Sequence, residues 1–99
     1  MTPPAVFRPE AAVDVLEARD YYERQRTGLG DQFAAALDDA VSLIAVQPEL
    51  FAVVLRTVRR TKLHRFPYIV YYRILVDRIE IIAVLHGSRH PRTWQRRAD

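Results

Sequence analysis

Arg65-Phe66-Pro67-Tyr68-Ile69-Val70-Tyr71-Tyr72-Arg73 is a run of β-branched and aromatic residues with an arginine at each end. Residues of this kind suit a pleated, packed surface. With a period of two, Tyr68, Val70, Tyr72 and Ile74 fall on one face, and Ile69, Tyr71, Arg73 and Leu75 on the other. A strand that is apolar on both faces belongs in the middle of a sheet with material on either side. Phe66 to Val76 therefore reads as a central strand. A second apolar strand, Ile79 to Leu85, follows after Val76-Asp77-Arg78 and runs into His86-Gly87-Ser88-Arg89. The link lacks the favoured Asn-Gly or Asp-Gly pair, so a hairpin is expected without a turn type. In its second strand, Ile82, Val84 and His86 share a face by the same period.

Outward from this hairpin, Thr57 to Leu63 alternates. Val58 and Arg60 lie to one side, and Thr57, Arg59 and Thr61 to the other. It reads as a strand at an edge, where charge discourages unwanted pairing. Arg56, Arg59, Arg60, Lys62 and Arg65 then make a basic band. Phe51 to Leu55 reads equally as strand or connection.

Earlier still, two stretches have helical spacing. Ala11, Val15, Ala18 and Tyr22 form a four-three-four stripe that Leu16 widens, with Asp14, Glu17, Asp20 and Glu23 away from it. Phe33, Leu37, Ala40 and Ile44 repeat the stripe, and Val41 joins it. The first helix spans about Pro9 to Arg26, with proline at its first position and Glu10 in the positive first turn, but no ordinary capping residue. Gly28 is a candidate left-handed cap in the break Thr27-Gly28-Leu29-Gly30-Asp31. Pro48 ends the second helix near Gln47. So short a break makes an antiparallel helical hairpin. Pro3 and Pro4 resist regular structure, so residues 1–4 are expected to fray, and Ala5 to Arg8 is a short strand. Pro91 can open a short C-terminal helix carrying Trp94, Arg96 and Arg97.

The order β-α-α-β-β-β gives an α+β fold: a helical hairpin packed on one face of a twisted, mostly antiparallel four-stranded sheet, with the other face open to a partner or substrate. At 99 residues this is one domain, residues 1–99. The composition is 49% hydrophobic, which suits a globular chain, and there is no cysteine. Disulfides and thiolate metal sites are thereby excluded, in keeping with a reducing cytoplasm. No secretion signal is visible, and no apolar run approaches the roughly 20 residues of a membrane span.

Charge is unevenly placed. Residues 1–50 hold 4 Lys/Arg against 9 Asp/Glu, and residues 51–99 hold 11 against 3, so a net of −5 is followed by a net of +8. A basic second half implies an anionic partner, either nucleic acid or an acidic protein segment.

Residues able to carry chemistry are few. The three glycines, Gly28, Gly30 and Gly87, make no phosphate loop. His64, His86 and His90 lack the spacing of a helical metal pair, so neither metal nor cofactor is expected. Ser42 and Ser88 sit in no nucleophile elbow. His86 with Arg65, Lys62 and Arg89 remains. The histidine can move a proton, and the cations can stabilise charge developing during RNA cleavage. Equally, the histidine can be a packed strand end and the cations a docking surface. Tyr68, Tyr71 and Tyr72 suit sheet packing better than base stacking.

Taken jointly, Arg65-Phe66-Pro67-Tyr68, Tyr72-Arg73, Ile81 through Val84, His86 and Arg89 resemble the ParE/RelE superfamily of toxins from bacterial type II toxin–antitoxin systems. Phe7-x-Pro9-Glu10-Ala11 and the hairpin ending at Pro48 fit the same family. The resemblance implies a cytoplasmic toxin with a cognate antitoxin, ParD-like or of another class, whose N-terminal part binds DNA. It also implies one of two targets. ParE-like members poison DNA gyrase, the activity linked to plasmid stabilisation. RelE-like members cut messenger RNA on the ribosome. The long hairpin, the Arg-Phe-Pro-Tyr strand and the His-Gly-Ser-Arg-His-Pro run are ParE-like. Lys62 is the only lysine, and no tyrosine follows Tyr72, both departures from the RelE-like pattern. A module that binds without toxicity is the third possibility. Target- or antitoxin-binding residues on this reading are Arg56, Arg59, Arg60, Lys62, Arg65, His86, Arg89 and Trp94. Catalytic candidates, if it is a nuclease, are His86, Arg65, Arg89 and Lys62.

Overall fold

A computed structural model describes residues 3–98. The elements are β1 (Ala5–Phe7), α1 (Pro9–Gln25), α2 (Leu29–Val46), β2 (Val53–Leu55), β3 (Val58–Lys62), β4 (Tyr68–Ile74), β5 (Ile79–His86) and α3 (Arg92–Ala98). The sheet has five strands in the order β1-β5-β4-β3-β2, parallel between β1 and β5 and antiparallel elsewhere. The helical hairpin lies on one face, as its apolar stripes require.

Several expectations are corrected. Val53–Leu55 is a strand, so the sheet has five strands and not four. It pairs with β3, which makes β3 an inner strand; the edges are β1 and β2. β4 is shorter than Phe66 to Val76 because Leu63 donates to the Tyr68 carbonyl at one end, and Leu75 to the Arg78 carbonyl at the other, closing both turns. Pro4 is not loose: its carbonyl accepts the Ile79 amide at 2.8 Å. Residues 1 and 2 of the expected irregular start lie outside the described residues.

The second sheet face is not open. There α3 lays Trp94 flat on Tyr71, with ring centroids 4.7 Å apart, over Val58, Ile82, Ala83 and Leu85. Offset stacking adds to the area that such rings already bury. The main core, on the hairpin side, gathers Phe33, Leu37, Ile44, Val70, Tyr72 and Ile81.

β5 does not keep the expected alternation. Its register to β4 shifts between Tyr71↔Ala83 and Tyr72↔Ile81, so Ile82 is an extra residue. A bulge of this kind resets the phase of a strand. Ile79, Ile81 and Val84 therefore face the helical hairpin, while Ile82, Ala83 and Leu85 join the α3 side. Ile82 thus does not share a face with Val84. The run Ile81 to Leu85 hides this break, because every residue in it is apolar.

Two further details concern the hairpin. Gly28 is left-handed as expected (φ 89°), but it opens α2 instead of closing α1. Both the Gly28 and Gly30 amides donate to the Glu23 carboxylate at about 3.0 Å, so α1 caps α2 from outside. Leu16 does not widen the buried stripe, being 67% exposed. Asp14, expected away from the stripe, is buried within it between Ala11 and Ala18.

Candidate functional site

At the far end of the central hairpin, Tyr68 at the start of β4 stands opposite His86 at the end of β5, with their rings 5.5 Å apart. The turn that follows is tightly held. Gly87 donates to the Pro67 carbonyl and Arg89 to the His86 carbonyl, at 2.8 and 2.9 Å. Within it the Ser88 amide donates to His86 Nδ1 at 3.0 Å, and the Ser88 hydroxyl lies 2.8 Å from the same atom. Because an amide can only donate, Nδ1 carries the lone pair and Nε2 the proton. His86 therefore presents a donor outward.

Beside it, between α1 and β5, is a cleft of about 200 Å³ lined by Asp14, Glu17, Tyr21, Tyr68, His86 and Arg89. Burial pushes the Tyr68 hydroxyl above its ordinary range, and the neighbouring Tyr21 adds to this; Arg89 pulls the other way. The hydroxyl is thus kept protonated as a donor, and Arg89 is near enough to act on it electrostatically. Among the described residues the Arg89 side chain has no hydrogen bond or ion pair.

The other sequence candidates lie elsewhere. Arg65, in the β3–β4 turn, has φ 72° and lines a recess against α2 with Gln32, Asp39 and His64. The recess and the His86 cleft share no residue. Between them stands the aromatic group Tyr22, Phe33, Phe66 and Tyr68, with ring centroids 4.9–5.9 Å apart. Lys62 turns back to the Leu63 carbonyl at 3.4 Å and also lies towards α2. His86 and Arg89 thus come together, whereas Arg65 and Lys62 line two adjoining recesses against α2.

Arg59 donates to the Phe51 carbonyl at 2.7 Å and the Glu49 carbonyl at 3.2 Å, which anchors the α2–β2 connection. Tyr72 holds the same connection through a 2.6 Å bond to the Pro48 carbonyl. Arg60 is exposed on the α3 side, opposite Tyr71. Arg56 sits in the β2–β3 turn with φ 50°. Trp94 is 5% exposed and stacked on Tyr71.

The residues that sequence reasoning missed are Asp14 and Arg97. β1 ends at Phe7, paired to Ile81, while β5 continues to His86. Where β1 stops, Asp14 of α1 accepts the Val84 amide at 3.0 Å, and Arg97 of α3 reaches the Ile82 carbonyl at 3.3 Å. The two side chains meet at 2.6 and 3.1 Å, a bidentate pair. This pair raises the Arg97 pKa further above its ordinary value, its hydrogen bond to Asp14 outweighing the opposing effect of burial. Arg8 also donates to the Arg97 carbonyl. The pair therefore stands in for a missing strand and binds the two covering layers across the sheet edge. A signal existed: Asp14 lies three residues after Ala11 and four before Ala18, inside the apolar stripe.

A second feature is an apolar groove of about 460 Å³ between α1 and α2, on the opposite flank of α1 from the His86 cleft. Phe7, Val15, Leu16, Ala34 and Leu37 line it, with Arg19 and Asp38 among its polar residues. Among the described residues no helix is long and apolar enough to cross a membrane, and no group of His, Cys, Asp or Glu could hold a metal ion.

Comparison with known proteins adds independent findings. Residues 5–91 match the family model described as the ParE toxin of the type II toxin–antitoxin system parDE. The chain is 34% identical over 79 residues to Toxin ParE2 of Mycobacterium tuberculosis, a match covering 79% of this chain and 75% of that one. Its backbone superposes on a chain of the chromosomal ParDE system from P. aeruginosa with a TM-score of 0.65, covering 86% of this chain and 96% of that one at 18% identity. A chain of the RelBE2 toxin–antitoxin complex from Mycobacterium tuberculosis gives 0.60, covering 87% and 99%, also at 18% identity. At such identities the two structures speak for the fold alone.

Proposed function

The chain belongs to the ParE toxin family of type II toxin–antitoxin systems, and on that premise we propose that it arrests growth in the cytoplasm by poisoning DNA gyrase and is neutralised by a cognate antitoxin. The observation that carries the choice of target is the separation of the proton-transfer candidate from two of its three candidate cations, Arg65 and Lys62, with Arg89 alone beside it. A nuclease needs an acid–base group and charge-stabilising cations around one reacting phosphate. Here the His86 lone pair already accepts the Ser88 amide. Arg65 and Lys62 lie in recesses against α2 that His86 does not line. Dispersed arginines suit docking on a large anionic complex, for which no proton transfer is required.

The antitoxin reading draws on the α1–α2 groove. Leu16 and its neighbours present an apolar trough that an amphipathic helix can fill at i, i+3, i+4 and i+7. A C-terminal antitoxin segment of that kind would be disordered alone and fold on binding, and the antitoxin's N-terminal half would bind DNA. The sheet face expected to be open is covered by α3, which leaves this groove as the apolar surface for the antitoxin.

A paired assay tests the target. Purified protein is added to a gyrase supercoiling and cleavage reaction, and to a translating ribosome system that maps messenger cleavage. Cleaved DNA with intact messenger is expected, and His86→Ala keeps poisoning within a few-fold. Cut messenger with unaffected gyrase, together with a loss of about 10²-fold or more in His86→Ala, overturns the reading and makes His86 catalytic.

A further inference from the structure

The layer that α3 adds to the sheet holds arginines of two kinds. Arg73 pairs with Glu80 at 2.8 Å and donates to the Ala98 carbonyl at 3.2 Å, and Arg97 is held by Asp14. Arg8 donates to the Arg97 carbonyl. These contacts, with Trp94 stacked on Tyr71, fix a helix of seven residues that would be marginal alone. The outward arginines have no such role. Trp94 and Ala98 face the sheet, so at 3.6 residues per turn Arg92 and Arg96 stand on the opposite side, one turn apart and exposed. Arg60 of β3 is exposed beside the same stack. None of these three side chains has a hydrogen bond or ion pair among the described residues.

Residues 50–98 supply them no counter-charge. The two carboxylates there, Asp77 and Glu80, are taken by Arg78 and Arg73. A helix C-terminus favours cations, which accounts for Arg96, but Arg92 opens α3, where the helix dipole disfavours positive charge. Its place there, and Arg60 on a neighbouring strand, need another reason. Just before α3, His90 Nδ1 accepts the Arg92 amide, so Nε2 carries the proton and adds a donor to the ridge. No ring is open for stacking on bases, since Trp94 and Tyr71 are 5% and 4% exposed. Nor does any of the large exposed apolar side chains among the described residues belong to α3, so a protein partner would find no apolar centre to bury. A rigid ridge of donors, without carboxylates, open rings or an apolar centre, fits a sugar-phosphate backbone.

We propose that α3, with Arg60 beside it, is a docking ridge for the phosphate backbone of duplex DNA. This deepens the gyrase reading and rests on it for the source of the duplex, which is the DNA that gyrase cuts. The ridge holds that DNA without reading its sequence, because phosphate contacts carry no sequence information.

Fluorescence anisotropy of a short labelled duplex, titrated with the purified protein over a range of salt, tests the ridge without gyrase. Three phosphate contacts give log K a slope of about −2 to −3 against log [salt]. Arg92→Glu combined with Arg96→Glu weakens binding at least ~10-fold and flattens the slope, whereas lysine at both positions stays within about threefold, because charge and not fork geometry is read. The matched double reversal of exposed Arg24 and Arg26 to glutamate, at the end of α1, changes binding no more than about twofold. Far-UV circular dichroism confirms that all variants fold. The inference is overturned if the two double reversals bind the duplex alike, if single-stranded RNA of the same length outcompetes the duplex, or if polyglutamate of equal charge displaces it as readily. A gyrase arm separates the two readings. There the Arg92/Arg96 reversal binds gyrase without DNA within about twofold of the parent but accumulates at least ~10-fold less cleaved DNA; equal accumulation overturns the inference. Should the parent leave gyrase unaffected, the gyrase reading fails, and the duplex titration still decides whether the ridge binds DNA.

Discussion

Replacing Arg65 with glycine should make the protein more stable while removing one of the cations proposed for docking. Arg65 has φ 72°, in the left-handed region. That conformation costs an L-residue roughly 1–2 kcal/mol, because Cβ crowds the following carbonyl oxygen. Glycine carries no such cost but gives the unfolded chain more freedom, which offsets roughly 0.5–1 kcal/mol of the gain. The side chain is exposed and has no hydrogen bond or ion pair among the described residues, so its loss adds little. The net expectation is a gain of about 0.5–1 kcal/mol, or about 3–6 °C in Tm for a chain of this size. Arg65→Ala removes the same charge but keeps the strained backbone, so it should stay within about 0.5 kcal/mol of the parent. Asparagine, which tolerates this region, should fall between them. Urea unfolding with linear extrapolation measures all three. In the gyrase assay, glycine and alanine should lose the same activity, since both lack the guanidinium. If Arg65→Gly is no more stable than Arg65→Ala, the turn is not strained and the argument is refuted.

Two other expectations follow from the core. Asp14→Asn leaves Arg97 without its counter-charge in a partly buried site and should cost about 2–4 kcal/mol, somewhat less than a fully buried pair; Asp14→Leu combined with Arg97→Met should recover most of it, and a double-mutant cycle by urea unfolding shows whether the pair is coupled. Tyr22, Tyr68 and Tyr72 are all raised above the ordinary value of 10.0, chiefly by burial. Groups raised in the folded state add stability that is complete below the unfolded value and disappears as pH climbs through the folded one, so unfolding free energy should hold to about pH 10 and then fall. Tyr72→Phe should flatten that fall, followed by tyrosinate absorbance alongside denaturation, and an unchanged slope would show that Tyr72 is not among the responsible groups.

The sequence revealed those parts of the structure that depend on local spacing. Two helical stripes and the run from Tyr68 to Ile74 gave the hairpin and the central strand, because both periods are set by the burial of one face. Where neighbouring residues carry no contrast, the phase was lost. The bulge at Ile82 lies in an unbroken apolar run, so no polar residue marks the change of face. The charges of β3 suggest an edge, yet β3 is an inner strand, and the Arg59 guanidinium holds the Glu49 and Phe51 carbonyls instead of standing in solvent. For the site, His86 and Arg89 are close in sequence and stay close in space. Arg65 and Lys62 are divided from them by aromatic rings contributed from α1 and α2, a relation that no local pattern encodes. Asp14 was misplaced for the same reason: its partner lies 83 residues away.

That distance bears on the order in which the molecule can be completed during synthesis. The hairpin of α1 and α2 has all its own turns once residue 46 has been made. Asp14, however, points into the apolar stripe, and both of its partners, the Val84 amide and the Arg97 guanidinium, come from the last elements described. Asp14 lies on the flank of α1 turned to β5, away from the α1–α2 groove, so a hairpin packed early leaves this carboxylate in water until β5 and α3 close over it. β1 waits on the same elements, since among the described residues its one neighbour in the sheet is β5. The hairpin can therefore form first, but it is locked to the sheet only when β5 and α3 arrive, and the α1–α2 groove, which includes Phe7 of β1, takes its final form at that late step.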